Sequence, residues 1–515
     1  MLTSVVSVLL LAAMAGSDAP SAGAKTYESA AGFVPRGKID ELVLANLKRL
    51  GITPANQCSD AVFVRRVYLD VIGTLPTAQE AVQFLQDKSP DKRLVLIAKL
   101  LQREEFSDYL ALKWSDLLRI KAEFPINLWP NAAQAYHHWV RASIVENKPY
   151  DKFVRELLTE SGSNFRNPQV NFYRAMQSKD AQAVAQIVGL TFMGVRAEKW
   201  PKARLAGMAA FFSQIGYKET GEWKEEIIFY DQAKPAPAAF LFPDGTKPAA
   251  MADRDPREVF ATWLTAPGNP WFARAIVNRT WSWLLGRGIV QEPDDIRDDN
   301  PPENPELLAY LEKEMAAGNF DMRKLYSLIL NSSTYQQSSI PRSELAKSEA
   351  HFAVYPVRRL EAEVLIDAIC QVTGTTEKYN SPIPEPYTFI PDGERSVRLP
   401  DGSISSSFLE LFGRPSRDTG LEAERNNKPN AAQKLHLLNS SHIQRKIEQS
   451  PKFNFLMKNN KEPRGIVNAL YLMILSRPPT PAEFDVVAAY PGKSRDAVVD
   501  LAWALINSSE FLYRH

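Results

Sequence analysis

The sequence has little of what the common metal and redox chemistries require. It carries two cysteines, Cys58 and Cys370, more than three hundred positions apart, and no Cys-x-x-Cys or Cys-x-x-Cys-His. Covalent c-type haem and cysteine-based zinc clusters are excluded on that ground. An isolated cysteine is ordinarily a small buried hydrophobe, although an oxidising compartment would permit the two to pair. Histidine is scarce, with six residues. His137 and His138 are adjacent, so on a helix they diverge by about 100°. His436 and His442 are six apart, whereas chelating pairs on one helix stand three or four apart.

Other absences narrow the field further. The nucleophile elbow Gly-x-Ser-x-Gly and the P-loop do not occur. Gly286-Arg-Gly288 opens like a dinucleotide fingerprint, but it follows a helical pattern and Gln291 stands where the third glycine belongs. Sixty-one basic residues against sixty acidic ones leave a net charge of +1, so no nucleic-acid partner is expected. No stretch approaches the roughly twenty apolar residues of a transmembrane segment.

What is present describes a folded protein. The 515 residues are 45% apolar and 23% charged, enough for two or three domains with their own cores. The apolar run Val5–Ala15 is too short to span a bilayer. It is followed by Ala13-Met-Ala15 and Ala22-Gly-Ala24, both of signal-peptidase type. Residues 1–24 therefore read as a signal peptide, although no Lys or Arg precedes Lys25. The protein is expected to be exported, periplasmic or extracellular.

Helical periodicity dominates, and the fold class expected is mainly α, with two helical domains and a short β or irregular element at their junction. The stretch 60–87 reads as a helix, a turn over Gly73 to Pro76, and a new start at the capping box Thr77-Ala-Gln-Glu80. Near the C-terminus 469–490 repeats that order, with Thr480-Pro-Ala-Glu483. The segments 325-LYSLILNSSTY-335 and 501-LAWALINSSEF-511 also match, with 96-LIAKLLQREEF-106 as a weaker copy. These read as helical parts of an old duplication, too unevenly spaced for a solenoid. Ile227–Tyr230 is a strand candidate, with Phe240–Phe242 a candidate partner. Residues 378–408 form a long irregular, proline-rich zone bearing Tyr387 and Phe389, and such a segment is usually functional or disordered.

Three clusters are candidate sites. Asp294, Asp295, Asp298 and Asp299 lie in one turn; they could supply oxygen ligands to Ca²⁺ or Mg²⁺, or simply form a solvated acidic turn. Arg414, Arg417, Asp418, Glu422, Glu424, Arg425 and His436 crowd the approach to a helix starting near Asn430. They could hold an anion or a partner, or interlock as ion pairs that fix a loop. The helix 270–290 carries Trp271, Phe272, Trp281 and Trp283, a face that reads as core rather than as a sugar platform.

The segments 63-FVRRVYLDVIGTLPTAQE-80 and 93–119 resemble the cytochrome-associated domain of exported planctomycete and verrucomicrobial proteins. Residues 258–308, 355-YPVRRLEAEVLIDAICQVTG-374, 412-FGRPSRD-418 and 433-QKLHLLNS-440 resemble its partner, a planctomycete-type C-terminal domain. The resemblance covers residues 40–515 and implies two domains of unknown function. It divides the chain into 40–225, a β/Pro-rich linker at 226–255, and 256–515. Many members carry Cys-x-x-Cys-His after the position of Phe192–Arg196 and a Cys-Glu-Cys where this chain reads Leu421-Glu422-Ala423. Here only Ala-Glu-Lys separates Arg196 from Trp200, so no haem cofactor is expected. The basic residues between Arg196 and Arg204 are expected to cap the preceding helix. Three functions stay open: a non-catalytic binding or scaffold protein with a protein or glycan partner, a hydrolase working through loop carboxylates with a hard cation, or a redox-associated protein that has lost its haem site.

Overall fold

The computed structural model describes residues 24–515 apart from Ala236, Ala238, Ala250, 252–253, Lys461 and 489–494; the signal-peptide reading of 1–24 therefore lies, but for Ala24, outside the described residues. The fold is mainly α. No helix among the described residues is long and apolar enough to cross a membrane.

Helix Asp60–Ile72 is the centre. Its side chains from Val62 onward are all buried, although the run includes Arg65, Arg66 and Asp70. Ser59 starts it by accepting from the Val62 N–H, and Gly73 ends it in the left-handed region at φ +59°. Thr77 and Glu80 then close a reciprocal capping box on helix Ala78–Gln86. The C-terminal copy repeats each step. Helix Pro463–Leu475 ends at Ser476 with φ +62°, and Thr480 and Glu483 exchange the same pair of bonds at 3.2 and 2.7 Å. Arg103 pairs with Glu80 and lies over the Tyr68 ring, just as Arg477 pairs with Glu483 and lies over Tyr471.

The two copies meet through Arg65 and Arg66. Arg65 donates to the Ile474 and Phe511 carbonyls at 2.9 and 2.8 Å. Arg66 donates to the carbonyls of Tyr335, Gln337 and His515, each at 2.8 Å. Phe511 and Tyr335 are the closing aromatics of the two Asn-Ser-Ser segments, so adjacent arginines receive equivalent positions of the repeat. Asp70, one turn on, accepts from the hydroxyls of Tyr335 and Tyr355, both at 2.8 Å.

The apolar cores do not divide at 226–255. One gathers residues from Ile39 to Tyr355. The other gathers Leu360 to Phe511 together with Leu69, Leu75, Tyr109 and Leu112. The strand Glu226–Tyr230 forms as expected, but its partners are Ile215–Glu219 and Gly162–Ser163. Phe240–Phe242 is not a strand: the Leu241 N–H is taken by Gly207, and Phe242 closes the Asp244-Gly245 turn. Phe211, Phe242, Phe260 and Trp263 stack there as part of the core. Cys58 and Cys370 are both free thiols. Burial raises the Cys370 thiol to about 11.

Because Arg66 meets two buried carbonyls and a third that is partly buried, Arg66→Met should cost about 3 kcal/mol or more through stranded acceptors. Urea unfolding measures this, and a loss below about 1 kcal/mol would contradict it.

Candidate functional site

The segments that carry the family resemblance converge on one buried lattice of charges. Helix Glu104–Leu117 brings Tyr109, Lys113 and Asp116 to one face by their spacing of four and three. Glu361 and Glu363 arrive at the start of helix Ala362–Thr373, Arg414, Arg417 and Arg425 from the 411–425 loop, and Arg514 from the last strand. Glu361 accepts from Lys113 and, at 2.8 Å, from the Tyr109 hydroxyl. Arg514 donates to that hydroxyl at 2.8 Å and stands 3.4 Å from Asp70. Arg425 spans Glu363 and Asp116, at 2.6 Å from each. Arg417 adds a bond to Asp116 at 2.9 Å.

Burial and pairing oppose each other at every node. Burial alone would raise Glu361, yet Lys113 and Arg514 hold it far below the usual carboxylate range. Burial would likewise lower Arg425, but Glu363 and Asp116 raise it well above its ordinary value. At Arg414 burial wins, with Arg417 adding repulsion, and the guanidinium drops to about 10. Charges taken this far from water persist only in such mutual contact.

The sequence cluster is thus split by the fold. Arg414, Arg417 and Arg425 turn inward to carboxylates distant in sequence, with Arg417 held at φ +60°. Asp418 faces Lys121 at 2.7 Å. Glu424 closes its own turn, accepting from the N–H groups of Asp418 and Thr419 at 3.0 and 3.2 Å. Glu422 accepts from Trp283 Nε1–H at 2.6 Å, and its backbone N–H donates to Asp294 at 2.7 Å. Burial, then the charge of Asp294, raises the Glu422 carboxyl.

The four aspartates of the acidic turn do not converge. Asp294 is buried on Arg279 at 2.7 Å, Asp295 and Asp299 bracket Arg297, and Asp298 is exposed. Among the described residues, no group of three or more His, Cys, Asp or Glu side chains is placed to hold a metal ion. Beside the lattice, Asp70, Phe106, Tyr109, Lys113, Trp283 and Tyr326 line a void of about 10 Å³, room for about one water.

The basic gap differs from expectation. Helix Ala181–Val188 runs on as a wider turn, Gly189–Met193. Its last carbonyls, on Leu190 and Thr191, are capped by Arg279 from the other half of the chain. Arg204 lies instead over the Trp200 ring, 4.1 Å from its centroid. Gly194, at φ +64°, lets the turn close onto Ile296 with a 2.8 Å bond to its N–H. The segment around Gly189–Gly194 is thus a seam between the two halves, held by Arg279 and Ile296.

His436 and His442 are also not where one continuous helix would put them. The chain breaks at Ser440 between helices Ala431–Asn439 and Ser441–Glu448, and the two rings face each other, 5.6 Å apart. The adjacent His137 and His138 remain apart at 6.1 Å.

Two outcomes test this arrangement. Lys113→Met or Glu361→Gln alone leaves a buried group unpaired and should cost about 3–5 kcal/mol. The double variant should cost clearly less than the two losses together in a double-mutant cycle; additive losses would refute the pairing. His137 is buried, and burial followed by the charge of Arg417 lowers its ring to about 3. The unfolded chain takes up that proton below about pH 6.5 while the folded one does not, so stability falls as pH drops from 6.5 toward 3. His137→Leu should reduce the loss between pH 7 and pH 5 by about 2 kcal/mol, read from urea midpoints at each pH.

Comparison with known proteins agrees with the motif order. Residues 38–202 match the family model PSCyt2, a protein of unknown function (DUF1549). Residues 256–490 match PSD1, a protein of unknown function (DUF1553). No curated protein matches the chain, and no solved structure does. The lattice that joins helices 60–72 and 104–117 to the segments at 355–363 and 411–425 therefore joins two matched regions, and the chain is a two-domain protein with DUF1549 (PSCyt2) in its N-terminal part and DUF1553 (PSD1) in its C-terminal part.

Proposed function

We propose that the protein is an exported, non-catalytic binding protein whose charge lattice is scaffolding and whose docking surface is aromatic. The observation that carries this reading is a corner of three rings drawn from three distant segments. Trp129 begins helix Pro130–Val145, Trp223 stands at the tip of the hairpin between the strands Ile215–Glu219 and Glu226–Tyr230, and Tyr387 comes from the irregular zone 378–408. Their centroids lie 4.6, 5.3 and 5.5 Å apart, inclined by 63–66°. Trp223 is 60% and Tyr387 44% exposed.

Rigid, exposed Trp and Tyr rings are the usual anchors of protein interfaces. Three mutually inclined rings make a knob rather than the flat platform a sugar ring needs, which favours a protein partner over a glycan. The Arg/Glu cluster does not take part in docking, since Arg414, Arg417 and Arg425 are buried. Apart from the exposed Asp298, the carboxylates a hydrolase would use are bonded within the fold, and the void beside Glu422's partner Trp283 admits a water but no sugar. Export rests on the apolar run at 5–15.

The mature protein and its Trp223→Ala/Tyr387→Ala variant, immobilised in parallel, test the reading against envelope extract from the native host and against a glycan array. A protein retained by the wild type should lose affinity about 30-fold or more in the variant, as for a hot spot of about 2 kcal/mol. Equal retention by both, or capture of a glycan instead, would overturn it.

A further inference from the structure

We propose that His436 and His442 form a two-histidine site for a divalent transition-metal ion, zinc or copper(II). The inference is independent of the docking surface. His436 Nε2 and His442 Nδ1 face each other at 3.3 Å. Two imidazole nitrogens on one tetrahedral ion, with bonds of about 2.0–2.1 Å, stand about 3.3 Å apart. The spacing that serves as a hydrogen bond is thus also the bite of a chelate.

The surroundings favour the ion. His442 Nε2 lies 2.9 Å from Glu377 Oε2. A carboxylate on the outer nitrogen fixes the tautomer and raises the basicity of a metal-bound imidazole. With its proton held on Nε2 by Glu377, His442 presents a lone pair at Nδ1, toward His436. Glu377 is itself fixed by Lys446 at 3.0 Å and is buried, while His442 is 31% exposed. The stacked rings of Phe408 and Phe412, 4.1 Å apart, support the site, with Phe408 against both imidazoles. No third side-chain ligand is in place among the described residues, so solvent completes the coordination from the open side. When the ion binds, the His436 proton moves from Nε2 to Nδ1 through solvent, so the ring stays neutral and its Nε2 lone pair faces the ion. Copper(II) should bind more tightly than zinc.

Tag-free full-length protein titrated with copper(II) and followed by electron paramagnetic resonance should bind one equivalent with the hyperfine pattern of two imidazole nitrogens. His436→Asn and His442→Asn should each abolish the two-nitrogen pattern, with circular dichroism unchanged because both rings are only partly buried. Glu377→Gln leaves both ligands in place and should weaken zinc binding about 10–100-fold by calorimetry. Binding that survives the double histidine variant, or a wild-type pattern with fewer than two nitrogens, would overturn the proposal as an adventitious ion only.

Discussion

Everything in this protein hangs on the burial of Arg65, Arg66 and Asp70 in one helix. A charged side chain in the interior destabilises the fold by several kcal/mol unless polar groups meet it. Arg65 and Arg66 are met by five backbone carbonyls drawn from 335–337, 474 and 511–515. These carbonyls belong to the ends of later segments, so the partners of the N-terminal helix lie far along the chain. The pair thus ties the first matched region to the second. It also explains why the apolar cores ignore the sequence boundary: a helix whose Leu69 enters one core while Val62 and Phe63 enter the other cannot belong to one half alone.

Outward from that helix the same logic repeats. Asp70 is shared with Arg514, Arg514 with Tyr109, and Tyr109 with Glu361. Arg425 links Glu363 with Asp116 in the adjoining part of the lattice. Such a lattice is a weak source of net stability but a strict one for geometry, since each guanidinium accepts few alternative arrangements. Beside it, Asp70, Tyr109, Lys113 and Trp283 border a void of about 10 Å³, room for about one water.

Much of the local structure was legible. The capping boxes at Thr77 and Thr480, the turn at Gly73, the helix start at Asn430 and the duplicated order of helices each depend on residues within a few positions of one another, and each stands where the spacing puts it. The failures share one cause. Arg196–Arg204 were expected to cap the helix before them, but Arg279 does so from across the fold. Asp294 reads from its acidic neighbours as a cation ligand or as part of a solvated turn, but its partner is Arg279 and it is buried. His436 and His442 were placed by helical geometry on different faces, and one break at Ser440 brought them together.

The sequence by itself determined the helices, their caps, the repeat and the family, because backbone hydrogen bonds and capping are short-range and write themselves into spacing. Only the tertiary structure decided which charge meets which and which aromatic rings stay exposed. An arginine can reach any carbonyl or carboxylate that the fold brings within about 3 Å, and neighbouring positions in the chain do not reveal which one that will be.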